Sequence, residues 1–534
     1  MSKKPIFNAA HALDRAAHAH PQRIAIHYGS REISVREAAI TSRKIAQLLA
    51  SVGVCQGDRV MLISHNSPYH MLLHAGCARL GAVFVPISYR LTRSDHQRII
   101  DFCAPRVVIL EAELADGGPF ESSGTLMHFV IDDDEQSPAT AQAIAAGFYS
   151  WSAAIEAHTG RFITIDPAGA SALNSRNYPE GPAVIFLTSG SAGVHKAVEL
   201  SHEHLWWASR NFREGFEYSS RDTIAVAAPM THIGGFNGAT LDLFSHGGTL
   251  VICREFDPPA LVESLARHRV SVMFGVPTMW RELLQIPEFD RAHLPVFRLA
   301  LLGGAPVPAP LLQELARRGF EPLTVWGMTE IAASGTYLPA EYLPDYAGSI
   351  GRPFAYIEAK VVDDTGELSS EGELWVRGPS VVGSYWHNDE ASAAHFSGSW
   401  LHTGDLVRVD EAGMMWVTGR ISNVIISGGI KINAEEIQEV LLAMPGVRDC
   451  VVLGVPDERW GETVAAVFVM ETGSAIPSLA EVQEYALRSL ARYKVPRVMM
   501  VVDNFPTNSG GKPDRQQIRR MFAELSAENE QSLQ

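Results

Sequence analysis

Short apolar runs alternate with amphipathic stretches over the first two thirds of the chain. Between the runs, residues 34–52 and 259–268 repeat apolar side chains at the spacing of one helical face. This alternation predicts an α/β fold whose sheets are layered between helices. The runs are rich in β-branched residues, as buried strands are, and comprise residues 59–64, 106–110, 129–131, 183–187, 249–253 and 270–274.

The pattern changes twice towards the carboxyl terminus. From about Gly351, glycine-punctuated alternating segments such as 357–362 and 372–376 predict a β-subdomain. After Gly419-Arg420, the pattern predicts one small α+β domain. The polar residues from Ala523 onward lack helix caps and predict a frayed end. The elements expected in the small domain are helices at 434–444 and 479–490 and strands at 450–453, 464–470 and 498–502.

Composition narrows the class of partner. The 534 residues contain 44 Lys and Arg against 60 Asp and Glu, which gives a net charge of -16. Such a balance repels nucleic-acid phosphates and anionic lipid surfaces, and no local basic patch offsets it. We therefore expect no nucleic-acid partner, and an anionic substrate must be held by a few placed cations and backbone N–H groups.

The number and spacing of the cysteines and the hydropathy of the chain indicate the cellular compartment to expect. The five cysteines are odd in number and form no CxxC pair, which indicates neither a disulfide framework nor a thiolate zinc site. No stretch approaches the roughly 18 apolar residues of a membrane span. We therefore expect a cytoplasmic protein with no integral membrane association.

A run of hydroxyl groups and glycines follows the strand predicted at 183–187. It reads Thr188-Ser189-Gly190-Ser191-Ala192-Gly193-Val194-His195-Lys196. Glycines let backbone N–H groups converge on phosphate oxygens, the hydroxyls add donors, and the lysine adds a point charge. The spacing differs from a Walker A loop, and an isolated run of this kind is also typical of an ordinary turn.

Four further motifs follow in order. In one turn, a Trp can stack on a base, a Thr can bind phosphate and a Glu can hold Mg²⁺. An Asp can bridge two ribose hydroxyls, and an Arg can bind the sugar or a phosphate. Taken one at a time, these residues are also typical of a Trp in the core, a Thr that caps a helix or solvated charges. Those structural roles do not explain why the motifs occur in this order along the chain. The motifs are Val325–Glu330 (VWGMTE), Trp400–Leu406 (WLHTGDL), Gly419-Arg420 and Pro506–Lys512 (PTNSGGK).

In this order and spacing the motifs resemble the adenylate-forming (AMP-binding) superfamily of acyl-CoA synthetases, aryl-CoA ligases, luciferases and peptide-synthetase adenylation domains. The resemblance runs from near Leu13 to Lys512. It implies a large multi-layer adenylation domain with a β-subdomain at residues 1–419, and a small mobile α+β lid domain at 420–534. It also implies ATP, Mg²⁺ and, as co-substrate, CoA.

The resemblance also implies residue roles. For the nucleotide, it implies a phosphate loop of Thr188, Ser189, Gly190, Ser191, Gly193 and Lys196; an adenine wall of Gly303, Gly304, Ala305 and Trp326; Gly327 and Met328 as further nucleotide-binding residues; Thr329 at the α-phosphate; Glu330 as the Mg²⁺ carboxylate; and Asp405 and Arg420 at the ribose. For the acid, CoA and the lid, it implies Lys512 as the lid lysine that reaches the carboxylate and the α-phosphate; an acyl pocket drawing on His232, Phe236, Trp280 and Gly303; Gly428 and Gly429 beside the CoA arm; and Asn423 at the hinge. Of these, Lys512, Thr329, Glu330, His232 and Lys196 are expected to be catalytic.

The implied reaction joins two anions, the substrate carboxylate and the α-phosphate of ATP, so catalysis is largely positioning and charge neutralisation. We expect a fatty or aromatic acid to become an acyl-adenylate with release of pyrophosphate, and then acyl-CoA and AMP. Two alternatives remain: another acceptor, such as a carrier-protein thiol or nitrite, and a degenerate homologue that binds nucleotide or acyl ligand without turnover. A homodimer and a separate carrier protein are both compatible with the sequence.

Two positions depart from the family pattern. His195 stands where a proline usually precedes the loop lysine, which removes rigidity from the loop. Ser422-Asn423 stands where the family commonly has a basic and then an acidic hinge residue. The phosphate loop and the pivot of the lid are therefore the places where behaviour is expected to differ from that of relatives.

Overall fold

The structure is a computed structural model, and it describes residues 8–122, 124, 126–133, 137–161, 181–188, 196–457, 459–506 and 513–522. These residues form two compact units. The first contains the described residues within 8–188, 196–358 and 376–401, and the second contains the described residues within 359–375 and 402–522. The sequence-based boundary between Gly419 and Arg420 stays a prediction.

The strands in chain order are β1 Ile24–Tyr28, β2 Arg31–Ser34, β3 Arg59–Ser64, β4 Val83–Ser88, β5 Val107–Glu111, β6 Met127–Ile131, β7 Tyr149–Ser150, β8 Pro182–Thr188, β9 Lys196–Ser201, β10 Thr223–Val226, β11 Thr249–Ile252, β12 Val272–Gly275, β13 Leu299–Gly303, β14 Glu321–Trp326, β15 Thr336–Leu338, β16 Arg352–Pro353, β17 Glu358–Val362, β18 Glu371–Arg377, β19 Phe396–Ser397, β20 Trp400–Val409, β21 Met415–Arg420, β22 Val424–Ser427, β23 Ile430–Asn433, β24 Val447–Asp457, β25 Gly461–Met470 and β26 Val498–Val501.

The α-helices are α1 Ala9–Ala19, α2 Val35–Ser51, α3 Tyr69–Leu80, α4 Arg93–Cys103, α5 Pro138–Ala145, α6 Trp151–Glu156, α7 His202–Phe216, α8 Ile233–Phe236, α9 Asp242–Ser245, α10 Pro258–Arg267, α11 Pro277–Leu283, α12 Ala309–Arg317, α13 Leu343–Tyr346, α14 Asp389–His395, α15 Ala434–Leu442 and α16 Leu479–Ala486. Within the described residues, no helix is long and apolar enough to cross a membrane.

Two large sheets make up the core of the first unit. One has seven strands in the order β7-β6-β5-β3-β4-β8-β9, and the other has nine in the order β16-β15-β14-β13-β12-β10-β11-β1-β2. In both sheets the central strands pair in parallel. Chain segments that leave parallel strands meet at the carboxyl edge of the sheet, and open α/β proteins bind ligands there.

The second unit contains a smaller α+β arrangement. Its five-stranded sheet has the order β23-β22-β25-β24, with β26 beside β25. Helix α15 packs its apolar face on this sheet through Ile437 and Leu441, which are fully buried. Strands β20 and β21, which precede this domain in the chain, pair antiparallel.

The α/β prediction is confirmed, and most predicted elements lie where expected. The predicted strand at 59–64 is β3, and the predicted helix at 34–52 is α2. Helix α2 begins at Ser34 because that side chain and Glu37 form a reciprocal capping box. The two predicted helices of the small domain end earlier, at Leu442 and Ala486. The predicted frayed end from Ala523 lies outside the described residues.

Helix α3 is buried on nearly all sides and carries two histidines in the core. His70 and His74 have no solvent exposure, and among the described residues His70 Nε2 and both ring nitrogens of His74 lack hydrogen-bond partners. Burial lowers the pKa of His70 to about 4 and that of His74 to about 3. Both imidazoles are therefore neutral in the folded protein at neutral pH, with part of their hydrogen-bonding capacity unused.

These histidines predict acid lability. The unfolded chain, whose histidines titrate near 6.5, binds more protons than the folded protein between that pH and about 4, so stability falls as pH falls through this window. Each such histidine contributes a slope of up to about 1.4 kcal/mol per pH unit. We expect the melting temperature of His74→Leu to fall less between pH 7.5 and pH 5 than that of the wild type. Met71→Leu, a substitution at a buried position of the same helix that removes no titratable group, should show the pH dependence of the wild type; if His74→Leu does so too, the explanation is wrong.

Candidate active site

The ends of the predicted phosphate loop lie on a β-hairpin in the first unit. Thr188 ends β8 and Lys196 begins β9, and the two residues face each other in the antiparallel register. The Thr188 hydroxyl donates to the Lys196 carbonyl oxygen at 3.2 Å. The hairpin thus fixes both ends of the loop, while the predicted loop residues Ser189, Gly190, Ser191 and Gly193 lie outside the described residues.

The predicted adenine wall lies at the carboxyl ends of two adjacent parallel strands. Gly303 ends β13 and Trp326 ends β14, with Gly303 opposite Val325. A Cβ atom at Gly303 would approach the Val325 carbonyl oxygen to 2.5 Å, so only glycine fits this approach. Gly304 has a φ of +78° and turns the chain away from the strand, placing Ala305 on the exposed side.

A tight turn joins Trp326 to Glu330. Met328 caps a single 3₁₀ turn, Thr329–Ile331, and the backbone N–H of Ala333 returns to the Met328 carbonyl at 3.0 Å. A Cβ at Gly327 would lie 2.2 Å from the Ala333 carbonyl oxygen, so glycine is required there. The motif VWGMTE is therefore a compact turn at the end of a strand.

Glu330 is a buried carboxylate with defined partners. Glu330 is only 6% exposed, and its Oε1 accepts a hydrogen bond from the Tyr385 hydroxyl at 2.8 Å. The backbone carbonyl of Glu330 accepts from the N–H of Val382 at 2.9 Å. Burial, and then the charge of Glu330, raise the pKa of Tyr385, so the phenol stays protonated and donates. Both the backbone and the carboxylate of Glu330 are thus held in place.

Lys196 lies beside the same tyrosine. Its Nζ is 4.9 Å from the centroid of the Tyr385 ring and 3.2 Å from His395 Nε2. Sequence reasoning missed Tyr385 and His395, because a Tyr-Trp pair and a helix-end histidine are common structural residues. The one available signal was the aromatic pair Tyr385-Trp386 in an otherwise polar stretch.

The predicted acyl-pocket residues occupy two kinds of position. His232 caps the short helix α8, and its carbonyl accepts from the Phe236 N–H at 3.0 Å. Phe236 is fully buried, with its ring centroid 5.2 Å from that of His74. Trp280 is also fully buried, and its indole N–H donates to the Gly275 carbonyl at 3.1 Å. Both aromatic rings are packed within the core of the unit, and their predicted role at the acid stays a prediction.

Helix α8 continues into a helical irregularity. Residues Asn237–Leu241 contain a kink at Gly238, whose φ of 19° and ψ of -123° are not helical. The Asn237 amide donates to the carbonyl of Ala332 at 2.9 Å, and Ala332 directly follows the 3₁₀ turn that carries Glu330. Ala332 has a φ of +50°, a conformation that alanine rarely adopts, so this hydrogen bond supports a strained turn.

The predicted ribose residues lie in the second unit on paired strands. Asp405 on β20 stands opposite Arg420 on β21. The Arg420 guanidinium donates to both carboxylate oxygens of Asp405, which is only 3% exposed. The backbone N–H of Asp405 also donates to the Thr403 hydroxyl at 3.1 Å. Two residues that are 15 positions apart in the sequence are thus adjacent in space.

The remaining predicted residues of the second unit lie near its antiparallel strands. The Asn423 amide donates to Glu435 at 2.6 Å, next to the start of α15. Gly428 and Gly429 form the two-residue turn between β22 and β23, with φ values of +58° and +80°. A Cβ at Gly428 would lie 2.7 Å from the Trp460 ring. The glycines are therefore needed for the hairpin itself. The predicted lid lysine, Lys512, lies outside the described residues.

Among the described residues, metal-ligating side chains cluster at one place in the first unit. One group of three, His65, Glu111 and Glu113, places its ligand atoms within 4.8 Å of one another. The Arg254 guanidinium already donates to Glu111 and to Glu113, each at 2.9 Å. We therefore read this group as an ion-pair cluster.

Known proteins resemble this chain over most of its length. A family model described as "AMP-binding enzyme" matches residues 13–386, and one described as "AMP-binding enzyme C-terminal domain" matches residues 436–512. An indoleacetate–CoA ligase of Aromatoleum aromaticum is 31% identical over 96% of this chain and 97% of its own. A feruloyl-CoA synthase of an Amycolatopsis species is 32% identical over 95% and 98% of the two chains.

Solved structures give the same result. A fatty acyl-CoA synthetase of Mycobacterium tuberculosis superposes with a TM-score of 0.74 at 27% identity, covering 97% of this chain and 99% of its own. The o-succinylbenzoate-CoA synthetase of Bacillus subtilis, solved with its acyl-adenylate intermediate, gives a TM-score of 0.80 at 26% identity and covers 95% and 97% of the chains. Both the sequence and the fold lead to the same assignment, and this chain belongs to the AMP-binding enzyme family.

Proposed function

We propose that this protein is a Mg²⁺-dependent, AMP-forming acid:CoA ligase whose substrate is a fatty or an aromatic carboxylic acid. The support is that its relatives include an indoleacetate–CoA ligase and a feruloyl-CoA synthase, whose names describe products in which an acid is joined to CoA. The observation that carries the residue assignment is the arrangement around Tyr385, whose ring contacts Lys196 and whose hydroxyl holds the buried Glu330. One cation and one anion are thereby presented together at the predicted phosphate site.

Lys196 and Glu330 have complementary tasks in this proposal. Lys196 offers a positive charge to the phosphates of ATP, next to the loop that begins at Thr188. Glu330 fits a Mg²⁺ ligand, because Mg²⁺ in nucleotide enzymes is held by one or two carboxylates together with substrate phosphates. When bound, Mg²⁺ neutralises phosphate charge during the transfer. The hydroxyl of Tyr385 orients the Glu330 carboxylate for that task.

The nucleotide contacts extend to further residues. Gly303, Gly304, Ala305 and Trp326 would line the adenine, with Gly327 and Met328 in the turn and Thr329 at the α-phosphate. Asp405 would accept hydrogen bonds from the two ribose hydroxyls, while Arg420 holds its carboxylate in place. Asp405 is suited to this because a buried, oriented carboxylate loses little freedom on binding.

The chemistry then follows in two steps. A carboxylate oxygen of the acid forms a bond to the α-phosphorus of ATP, the bond from that phosphorus to the β-phosphate oxygen breaks, and pyrophosphate leaves. The CoA thiolate next attacks the acyl carbonyl carbon, and AMP leaves with the bridging oxygen. We assign Lys512 to the first step, Gly428 and Gly429 to the passage of the CoA arm, and His232, Phe236, Trp280 and Gly303 to the acyl pocket.

The proposed domain organisation follows the family. Residues 1–419 would form the adenylation domain and residues 420–534 the lid, with the pivot at Asn423. The hydrogen bond from Asn423 to Glu435 supports a defined position for that pivot in this conformation. We also propose the cytoplasm as the location, since all five cysteines are unpaired. A homodimer and a carrier-protein partner stay open to direct measurement.

The test is pyrophosphate release by the purified protein with Mg²⁺ and ATP. Short, long and aromatic acids should each be supplied with and without CoA. We expect acid-dependent release, with acyl-CoA formed only when CoA is present. Release without a thioester would indicate another acceptor, and no release with any acid would favour a binding protein without turnover.

Asp405 gives a residue-level prediction. Asp405→Ala should raise the KM for ATP by about 10- to 100-fold, because hydrogen bonds to a charged partner are worth roughly 1.5–3 kcal/mol. The KM for the acid should change little. Glu411→Ala, at an exposed turn of the same unit, serves as the control. An unchanged KM for ATP in a folded Asp405→Ala variant would remove Asp405 from the ribose site.

A further inference from the structure

One short segment touches both charged residues of the proposed phosphate site. It runs from Tyr385 through helix α14, which begins after the Asn388 cap and ends at His395. The ring of His395 also packs edge-on against Tyr385, with centroids 5.6 Å apart. Tyr385 and His395 therefore form one structural group that contacts Lys196 from two sides.

The hydrogen bonds of His395 determine its protonation pattern. Its Nδ1 lies 2.9 Å from the Ala391 carbonyl oxygen, and a carbonyl can only accept, so Nδ1 carries the proton. Its Nε2, 3.2 Å from Lys196 Nζ, is then the acceptor for the ammonium group. His395 thus orients the Lys196 side chain through a hydrogen bond to an uncharged acceptor atom.

Tyr385 acts on both charges through different parts of its side chain. The ring face attracts the Lys196 ammonium through its quadrupole, and the hydroxyl donates to Glu330. In a direct ion pair, Lys196 and Glu330 would balance each other's charge. The lysine would then be less available to a phosphate, and the carboxylate less available to a metal. The phenol ring instead satisfies both groups while keeping them separate.

We propose that Tyr385 and His395 are positioning residues for Mg·ATP. Tyr385 holds the Glu330 carboxylate for the metal, and His395 holds the Lys196 ammonium for a phosphate. The proposal rests on the proposed function only through the roles of Lys196 and Glu330. Tyr385 is expected to affect how much Mg²⁺ strengthens ATP binding, and His395 is expected to affect how strongly Lys196 binds the phosphates.

The test is the Kd of ATP for the full-length protein, measured by titration calorimetry with Mg²⁺ and in EDTA. Tyr385→Phe removes only the hydroxyl, and we expect it to reduce the gain in affinity that Mg²⁺ confers by about 10- to 100-fold, a range based on hydrogen bonds to charged groups. Affinity in EDTA should stay within about twofold, since the ring remains. Tyr356→Phe is the matched control, because the Tyr356 hydroxyl donates to Glu214 at 3.0 Å elsewhere in the unit.

His395 is tested by a pair of substitutions. His395→Leu should weaken ATP binding about 10- to 100-fold both with Mg²⁺ and in EDTA, since it removes the acceptor for a charged donor. His395→Gln offers an amide oxygen to Lys196 and should recover most of that loss. A merely structural role for His395 would not distinguish Gln from Leu in this way.

Each result decides the proposal. It is overturned if Tyr385→Phe keeps the wild-type gain from Mg²⁺, or if His395→Gln binds ATP as weakly as His395→Leu. Pyrophosphate release by the wild type is recorded in parallel. Normal release with unaffected variants would reject only the positioning roles, and tight Mg·ATP binding without release would reject only the ligase activity. A wild type that does not bind ATP would contradict both.

Discussion

Glu330→Gln should lower the rate of acid-dependent pyrophosphate release by about 10²- to 10³-fold, the range found when one preorganised electrostatic group is removed from an active site. The substitution keeps the size of the side chain and one oxygen, but it removes the negative charge that favours Mg²⁺. Since the residue is buried and held by Tyr385 and Val382, the fold should tolerate the neutral amide. The effect is therefore expected in activity rather than in stability.

Two comparisons make this result specific. Glu321→Gln changes an exposed glutamate at the start of the same strand, β14, and should leave the rate unchanged. Raising the Mg²⁺ concentration should recover part of the Glu330→Gln rate, because the loss lies in metal binding. A Glu330→Gln enzyme with the wild-type rate and Mg²⁺ dependence would show that Glu330 is not the metal carboxylate.

Lys512→Ala should separate the two half-reactions. The proposed role of Lys512 is to neutralise charge where the carboxylate attacks the α-phosphorus, so adenylation should fall by about 10²- to 10³-fold. Conversion of a supplied acyl-adenylate with CoA should stay within a few fold, because that step does not need the lysine at the α-phosphate. The measurements are pyrophosphate release for the first step and acyl-CoA formation for the second.

The control is Lys44→Ala, which removes a lysine paired with Glu156 outside the site. It should leave both half-reactions at the wild-type rate. Equal losses in the two half-reactions of Lys512→Ala would contradict the assignment, since they would indicate a general defect. ATP binding by the variant should be retained, which also distinguishes an enzyme from a nucleotide-binding protein without turnover.

Much of the fold is predictable because buried parallel strands have a simple signature. The β-branched run at 59–64 is a strand at those residues, and the Ser34 and Glu37 pair marks the start of α2. Helix α3 was not among the predicted elements. With core positions all around it, and histidines at 70 and 74, the segment has neither a polar face nor an apolar stripe. Periodicity is informative only where one face meets water.

The candidate site was predictable where a motif is local. The turn from Trp326 to Glu330 depends on the close backbone approach at Gly327, which lies within the motif itself, and the sequence pattern predicts this turn. His395 lies 199 residues away from Lys196 in the sequence, and no local pattern encodes the contacts of His395 and Tyr385 with this lysine. Phe236 and Trp280 show the converse limit, since a motif that names an aromatic residue does not tell whether its ring lines a pocket or fills the core.

The most direct test of the account follows the oxygen atoms of the acid. The protein should be incubated with ATP, Mg²⁺, CoA and an accepted acid whose carboxylate carries oxygen-18, and the AMP analysed by mass spectrometry. Attack of the carboxylate on the α-phosphorus and release of AMP by the thiol predict AMP that contains one labelled oxygen from the acid. Unlabelled AMP, or label in inorganic phosphate with formation of ADP, would contradict the proposed acyl-adenylate.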